Sequence, residues 1–241
     1  MPPLIFAGMF ALSLVGSMLQ AVCGFGYGPV NMSVLPYLLP YSQAVALSGL
    51  SGSTTALFVA LASWRHINWK MLLPCEIGGL IAGVAAVQLS AGAQDVFMVH
   101  CLGVALIALG IYSLFFSGKI HIKATFVNGL IAGTAAGLLS GFFAVGGPPM
   151  AIYLLEAASN NEEYRATLDT HFCITAIATT YMRWTHGVFT PPVLKAYALI
   201  LGALAAGTWL GGKIFRRLDA RKLRLTVYGY LVVSGALMLL R

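Results

Sequence analysis

The chain reads as an all-α integral membrane protein of about ten hydrophobic segments, arranged as two inverted five-segment repeats, each with a Gly/Pro-broken helix near its start. Three observations predict this. Of 241 residues, 59% are hydrophobic and only 9% charged, and the mean hydropathy is +0.86; soluble domains carry about a quarter charged residues. Apolar runs of helix length recur along the whole chain. Two Gly- and Pro-rich stretches interrupt those runs at corresponding places: Gly24-Phe25-Gly26-Tyr27-Gly28-Pro29 and Gly141-Phe142-Phe143-Ala144-Val145-Gly146-Gly147-Pro148-Pro149. Backbone groups released by such a break need partners without bulk water, so a break is tolerated only where it is packed in protein or lines a cavity.

In chain order the apolar segments fall at 4–22, 27–39, 43–64, 71–91 and 95–116, and again at 125–141, 146–158, 166–184, 191–212 and 221–240. This divides the chain into a first repeat (1–118), a basic linker (119–124) and a second repeat (125–241). Landmarks recur in the same order. Gly28-Pro29 corresponds to Gly147-Pro148, Trp64-Arg65 to Arg183-Trp184, Gly78 and Gly83 to Gly202 and Gly207, and Asp95 to Asp219. The segments 27–39 and 146–158 are short for a full crossing, which leaves open whether they span or re-enter. Met1-Pro2-Pro3 offers no basic n-region and the first basic residue is Arg65, so the first apolar segment is expected to stay as a span.

Charge placement sets the orientation. The net charge of +7 comes from Lys and Arg gathered beside spans rather than spread over a nucleic-acid-binding face, and no nucleic acid is expected as partner. With the Arg65–Lys70 loop in the cytoplasm and every segment crossing, 11 of the 14 Lys and Arg lie inside, leaving Arg183, Lys195 and Arg241. That is the positive-inside pattern, with both termini outside. A parallel four-plus-four arrangement would put the most basic loop, Lys213 to Arg224, outside.

Inverted repeats with broken helices in matching positions point to a secondary transporter with its site at the bilayer midplane. Pro29 and Pro148 or Pro149 suit the first position of a helix, where a missing N–H costs nothing, and Gly24, Gly26, Gly28, Gly141, Gly146 and Gly147 allow close backbone approach to a ligand. Two helix N-termini meeting from opposite sides favour an anion. The same glycines also serve plain helix packing.

These two glycine-rich runs and the five-plus-five layout resemble the sulfite exporter TauE/SafE family, over nearly the whole chain. The resemblance implies a membrane transporter of sulfite, organosulfonates or related anions, in a bacterial inner membrane. The first half departs from a plain glycine pair by carrying Tyr27 between Gly26 and Gly28, which narrows or reshapes that half of the site.

Further candidates come from polar residues inside the spans. Ser48, Ser51, Gly52 and Thr55 share one helix face, and Thr167, His171, Thr175 and Thr179 repeat at i+4; both faces are suited either to line a path or to join helices. Asn31 and Ser33 follow the first break and either donate to an oxyanion or cap freed backbone. Asp169 and His171 are candidates for carrying a coupled proton; the alternative pairs Asp169 with Arg165 four residues earlier. Glu76 is placed near the cytoplasmic end of its span. Arg65 and Arg183 either attract anions at the two mouths or anchor at the interface beside Trp64 and Trp184.

Other functional classes fit less of the chain. Gly49-Leu50-Ser51-Gly52 matches the Gly-x-Ser-Gly pattern of intramembrane serine proteases, but that reading leaves the duplication unused. A passive anion channel shares fold and site with a transporter. There is no phosphate-binding Gly-x-x-x-x-Gly-Lys-Ser/Thr run, Cys23, Cys75, Cys101 and Cys173 have neither metal-ligand nor disulfide spacing, and no metal, haem or nucleotide cofactor is implied.

Overall fold

A computed structural model describes residues 3–116, 123–214 and 220–240. The proposed linker falls mostly outside them, as does Asp219. Among the described residues all regular structure is helical. The order is α1 (Pro3–Cys23), α2 (Tyr27–Met32), α3 (Leu35–Leu38), α4 (Tyr41–Ala62), α5 (Trp69–Ser90), α6 (Asp95–Phe116), α7 (Phe126–Phe143), α8 (Gly147–Ala157), α9 (Asn161–Thr185), α10 (Pro191–Ile214) and α11 (Ala220–Leu239). Six stretches are long and apolar enough to cross a bilayer: Ile5–Cys23, Tyr41–Ala62, Trp69–Ser90, Asp95–Tyr112, Phe126–Phe143 and Pro191–Lys213.

The helix ends follow from local chemistry. α1 stops at Gly24 and Gly26, whose φ of 78° and 125° suit glycine. The expected segment 27–39 is not one helix. It parts after Met32, where Ser33 Oγ donates to the Val30 carbonyl at 2.7 Å, and resumes at Leu35 with Pro36 in its first turn. Side-chain caps begin α5, α7 and α9: Asn68 accepts from the Met71 amide, Thr125 from the Asn128 amide and Asn160 from the Glu163 amide. The last of these starts α9 at Asn161, ahead of the apolar run.

The four most extensive helix pairs of the bundle are α5 with α7, α1 with α10, α6 with α11 and α4 with α9, and α5 also packs on α9. Small residues set the first three. Along α7, Gly133, Gly137 and Gly141 lie directly against the backbone carbonyls of Cys75, Gly79 and Gly83 on α5. On α10, Gly207 meets the Leu14 carbonyl and Gly211 the Met18 carbonyl of α1. Gly103 and Gly235 face each other's carbonyls between α6 and α11. A side chain at any of these would push two backbones apart, which is how small residues let membrane helices approach closely.

Polarity is turned inward. Leu61, Ile81, Leu89 and Ile177 are each more than 60% exposed, whereas Gln20, Ser48, Ser51, Thr55, Thr167, Asp169, His171, Thr175 and Arg183 are buried. Exposed Trp64 and Trp69 lie around one end of the bundle and Trp184 at another, as interfacial aromatics do. The α4–α5 turn is tied to the start of α9: Asn68 Nδ2 donates to Glu163 Oε1 at 2.6 Å, the Asn68 amide donates to Thr167 Oγ1 at 3.1 Å, and His66 Nε2 lies 3.2 Å from Glu162 Oε2. The α9–α10 turn lies at the other end of α9, beside the α5–α6 turn.

Candidate anion site

The two breaks lie against each other. Gly28 abuts the Ala144 carbonyl, and a Cβ on Gly147 would stand 2.8 Å from Phe25 Cβ. Each break thus contributes a glycine that lies against a residue of the other. α7 closes on Ala144 with φ 55°, the one described non-Gly residue in the left-handed region. The chain then folds back so that Gly146 returns beside Ala136 and Ser140. α8 begins there and runs antiparallel along α7, its Tyr153 hydroxyl donating to the Thr125 carbonyl at 3.4 Å. At about 1.5 Å per residue, the 11 residues of α8 cover roughly half of a hydrocarbon core of about 30 Å. The helix therefore starts deep in the bundle.

Between the breaks is a cavity of about 70 Å³. It is lined by Gln20 of α1, by Phe25, Gly26, Gly28 and Pro29, and by Ser48, Gly49, Gly52 and Ser53 of α4. Ser140, Ala144, Val145, Gly146 and Gly147 close the opposite wall, and Phe172, Ala176, Thr179 and Arg183 of α9 complete it. Its size suits a small ion and lies far below the roughly 300 Å³ at which drug-sized pockets begin. A second cavity of about 390 Å³ lies toward the α9–α10 turn, among Tyr41, Ser42, Ser90, Asp95, Gly141, Phe142, His186 and Val188. Arg183 lines both.

Arg183 is only 5% exposed. Its Nη2 donates to the Gly141 carbonyl at 2.6 Å and the Ser140 carbonyl at 3.3 Å. The last turn of α7 explains the fit. The Val145 amide reaches back to Leu139 rather than to Gly141, and the guanidinium takes the carbonyl left over. Tyr41 likewise donates its hydroxyl to the Phe142 carbonyl at 2.7 Å. A cation at a helix C-terminus is favourable in its own right; here it also faces the cavity, and a guanidinium has five donors to divide between backbone and a bound anion.

Of the substrate-binding candidates, Gly26, Gly28, Pro29, Ser48, Gly52, Gly146 and Gly147 line the small cavity and Gly141 the larger one. Gly24, Tyr27, Asn31, Ser51, Thr55 and Pro148 line neither; they stand behind the wall. Tyr27 is buried, its hydroxyl donating to Ser13 Oγ at 3.2 Å and its ring 3.2 Å from where a Gly52 Cβ would be. Asn31 Nδ2 donates to the Tyr27 carbonyl at 3.0 Å, the backbone-capping role rather than the ligand role. Among the described residues no hydrogen bond joins Ser51 to a histidine. α2 has six residues, shorter than two turns. The dipole favouring an anion therefore belongs chiefly to α8, and the full charge to Arg183. Arg65 is exposed, its guanidinium 5.4 Å from the Trp64 ring, and lines neither cavity.

The two proton-carrying candidates, Asp169 and His171, point to different neighbours, because residues two apart on a helix do not face each other. Asp169 points to α1, where Gln20 Nε2 donates to its Oδ1 at 3.2 Å. His171 points to α5, with Nδ1 2.7 Å from Glu76 Oε1. Glu76 is thus 7% exposed and inside the bundle, not at its surface. Arg165 donates from Nη2 to the Ala21 carbonyl at 2.6 Å.

A helical bundle with an apolar exterior, a buried polar interior and two broken helices meeting at a small central cavity defines a multi-pass membrane protein. Residues 9–238 match the sulfite exporter TauE/SafE family, and the chain belongs to that family of membrane transporters. It is also 24% identical, over 97% of its own length and 93% of the other's, to a probable sulfite/organosulfonate exporter TauE of Cupriavidus necator. No solved structure matches it.

Proposed function

We propose that the protein is a secondary transporter of a small anion, sulfite or an organosulfonate, in a bacterial inner membrane, working by alternating access. The observation that carries this is the convergence of both broken helices and buried Arg183 on one ion-sized cavity. Glycine backbone and short hydroxyl side chains let an oxyanion approach closely, and Arg183 offers planar donors matched to its oxygens. The family and the relative's name supply the sulfur chemistry.

Two inverted repeats account for the packing. Exchanging each helix for its counterpart turns the α5–α7 pair into α10–α1 and leaves the α4–α9 and α6–α11 pairs unchanged, which are the four most extensive pairs of the bundle. The contacts of Gly28 with Ala144 and of Gly147 with Phe25 support such an axis between the breaks. Rocking about it would expose the cavity alternately to the two faces.

The test is flux of radiolabelled sulfite into proteoliposomes, with thiosulfate, sulfate and a short sulfonate as competitors. Saturable, competed flux is expected, and Arg183→Gln should weaken sulfite affinity at least about tenfold, since a hydrogen bond to a charged group contributes about 1.5–3 kcal/mol. Flux that never exceeds electrochemical equilibrium under any gradient would identify a passive channel. Absence of flux and of competition for every sulfur anion would overturn the substrate.

A further inference from the structure

The groups nearest the cavity leave one buried ionisable pair unused. Glu76 of α5 and His171 of α9 are joined at 2.7 Å, and both residues retain a buried atom with no hydrogen-bond partner, Glu76 Oε2 and His171 Nε2. Burial of such a pair inside a membrane bundle is costly, and replacement by apolar residues would pack as well. Gly79 makes room for it: a Cβ there would lie 2.9 Å from His171 Cε1 and 3.5 Å from Thr175 Oγ1. Thr175 Oγ1 is also buried without a partner. One helical turn further on, Thr179 lines the cavity, and one turn beyond that is Arg183. A polar row on α9 thus leads from the cavity to the pair. In the other direction it continues to Thr167, which accepts from the Asn68 amide at the α4–α5 turn.

We propose that the Glu76–His171 pair is a proton-binding site that couples anion movement to a proton gradient, an inference that rests on the transport reading above. With Nδ1–H donated to the Glu76 carboxylate, a proton arriving from water at one face bonds to His171 Nε2. The pair passes from one net negative charge to none, and the proton leaves to water at the other face. The pair also joins the two proposed repeats, since α5 belongs to the first and α9 to the second. Protonation turns a hydrogen bond between a neutral imidazole and a carboxylate into one between opposite charges and so changes how firmly the repeats are held in one arrangement. That is the differential interaction a conformational switch requires.

Few other titratable groups face the pair. α5 contributes Cys75, and α9 contributes Cys173 and Asp169, the latter directed to Gln20 with Arg165 on its side. α8 contributes Tyr153, beyond Cys75. The sequence of α7 contains no titratable residue, and that of α4 only Tyr41 at its far end.

The experiment uses the full chain in proteoliposomes, comparing wild type with Glu76→Gln and His171→Asn. Radiolabelled sulfite exchange at equal pH is measured beside flux under an imposed pH gradient. Sulfite itself titrates near neutral pH, so the readout is the difference between wild type and variant. Each variant should lose at least about tenfold of the gradient-driven acceleration, within the usual range of coupling energies, and keep exchange. Infrared difference spectra of the purified protein between two pH values form a second arm that needs no substrate. A titrating carboxylate or imidazole band is expected in wild type and should be missing in Glu76→Gln. Acceleration retained in both variants, or wild-type exchange indifferent to the gradient, overturns the proposal. If wild type exchanges no sulfite, the substrate reading fails, and the infrared arm decides the pair by itself: a band lost in Glu76→Gln supports the proton site, and no titrating band overturns it.

Discussion

At the scale of single residues, the breaks are held by contacts that admit no side chain. Gly28→Ala would drive a methyl into the Ala144 carbonyl, and because that neighbour is backbone it cannot swing aside. A loss of about 1–3 kcal/mol, the usual cost of overpacking, is expected as a lower unfolding temperature in detergent. Gly8→Ala meets nothing within 4 Å and should be neutral or stabilising by up to about 1 kcal/mol, as helix propensity dictates. Equal effects of the two would mean that the breaks do not touch. The breaks at Gly28 and Gly147 were legible because a Gly-Pro pair interrupts an apolar run, whereas lone glycines in such runs serve helix packing. The places of Arg183 and Glu76 were not. Arg183 beside Trp184 has the local pattern of an interfacial anchor, and only the tertiary course of α7 brings the orphaned Gly141 carbonyl to it. Glu76 and His171 are 95 positions apart, and no local spacing reports such a contact.

At the scale of elements, apolar run length marked most helices to within a few residues, and failed where helix formation does not depend on apolarity. α9 begins five residues before its apolar part because its start is capped on both sides, the Glu163 amide donating to Asn160 Oδ1 at 2.9 Å while Glu163 Oε2 accepts from the Ser159 amide at 3.3 Å. Segment 27–39 reads as one apolar run, but Pro36 cannot donate within a continuous helix, so it becomes α2 and α3. The α9 cap carries a pH signature. The hydrogen bond from Asn68, with a smaller contribution from the Ser159 amide, holds the Glu163 carboxyl below its ordinary value of 4.5. A carboxyl with a lowered folded-state pKa contributes stability that is present above the unfolded value and lost as pH falls through the folded one. Wild type should therefore unfold at a higher temperature than Glu163→Gln at neutral pH, and the difference should vanish on acidification below the carboxylate range. A difference independent of pH would assign the effect to packing.

At the scale of the whole molecule, the inverted reading makes a demand that a parallel duplication does not. The α4–α5 and α9–α10 turns are counterparts in the two halves, so inversion must put them on opposite membrane faces. His66 lies beside Glu162 at the start of α9, whereas His186 follows its end. At about 1.5 Å per residue a helix of 25 residues separates them by more than the roughly 30 Å hydrocarbon core. Positive charge predicts the faces: the His66 turn carries Arg65 and Lys70 and is expected in the cytoplasm, the His186 turn outside. In a background lacking the four native cysteines, His66→Cys should resist a membrane-impermeant maleimide applied to intact cells, and His186→Cys should react. Gln94→Cys, in the α5–α6 turn beside the larger cavity, should react with His186→Cys. Labelling of His66→Cys and His186→Cys from the same face would sink the inverted arrangement, and with it rocking of one repeat against the other as the means of exposing the cavity. Labelling from opposite faces with the sides exchanged would keep the repeats and reverse the direction in which the larger cavity opens.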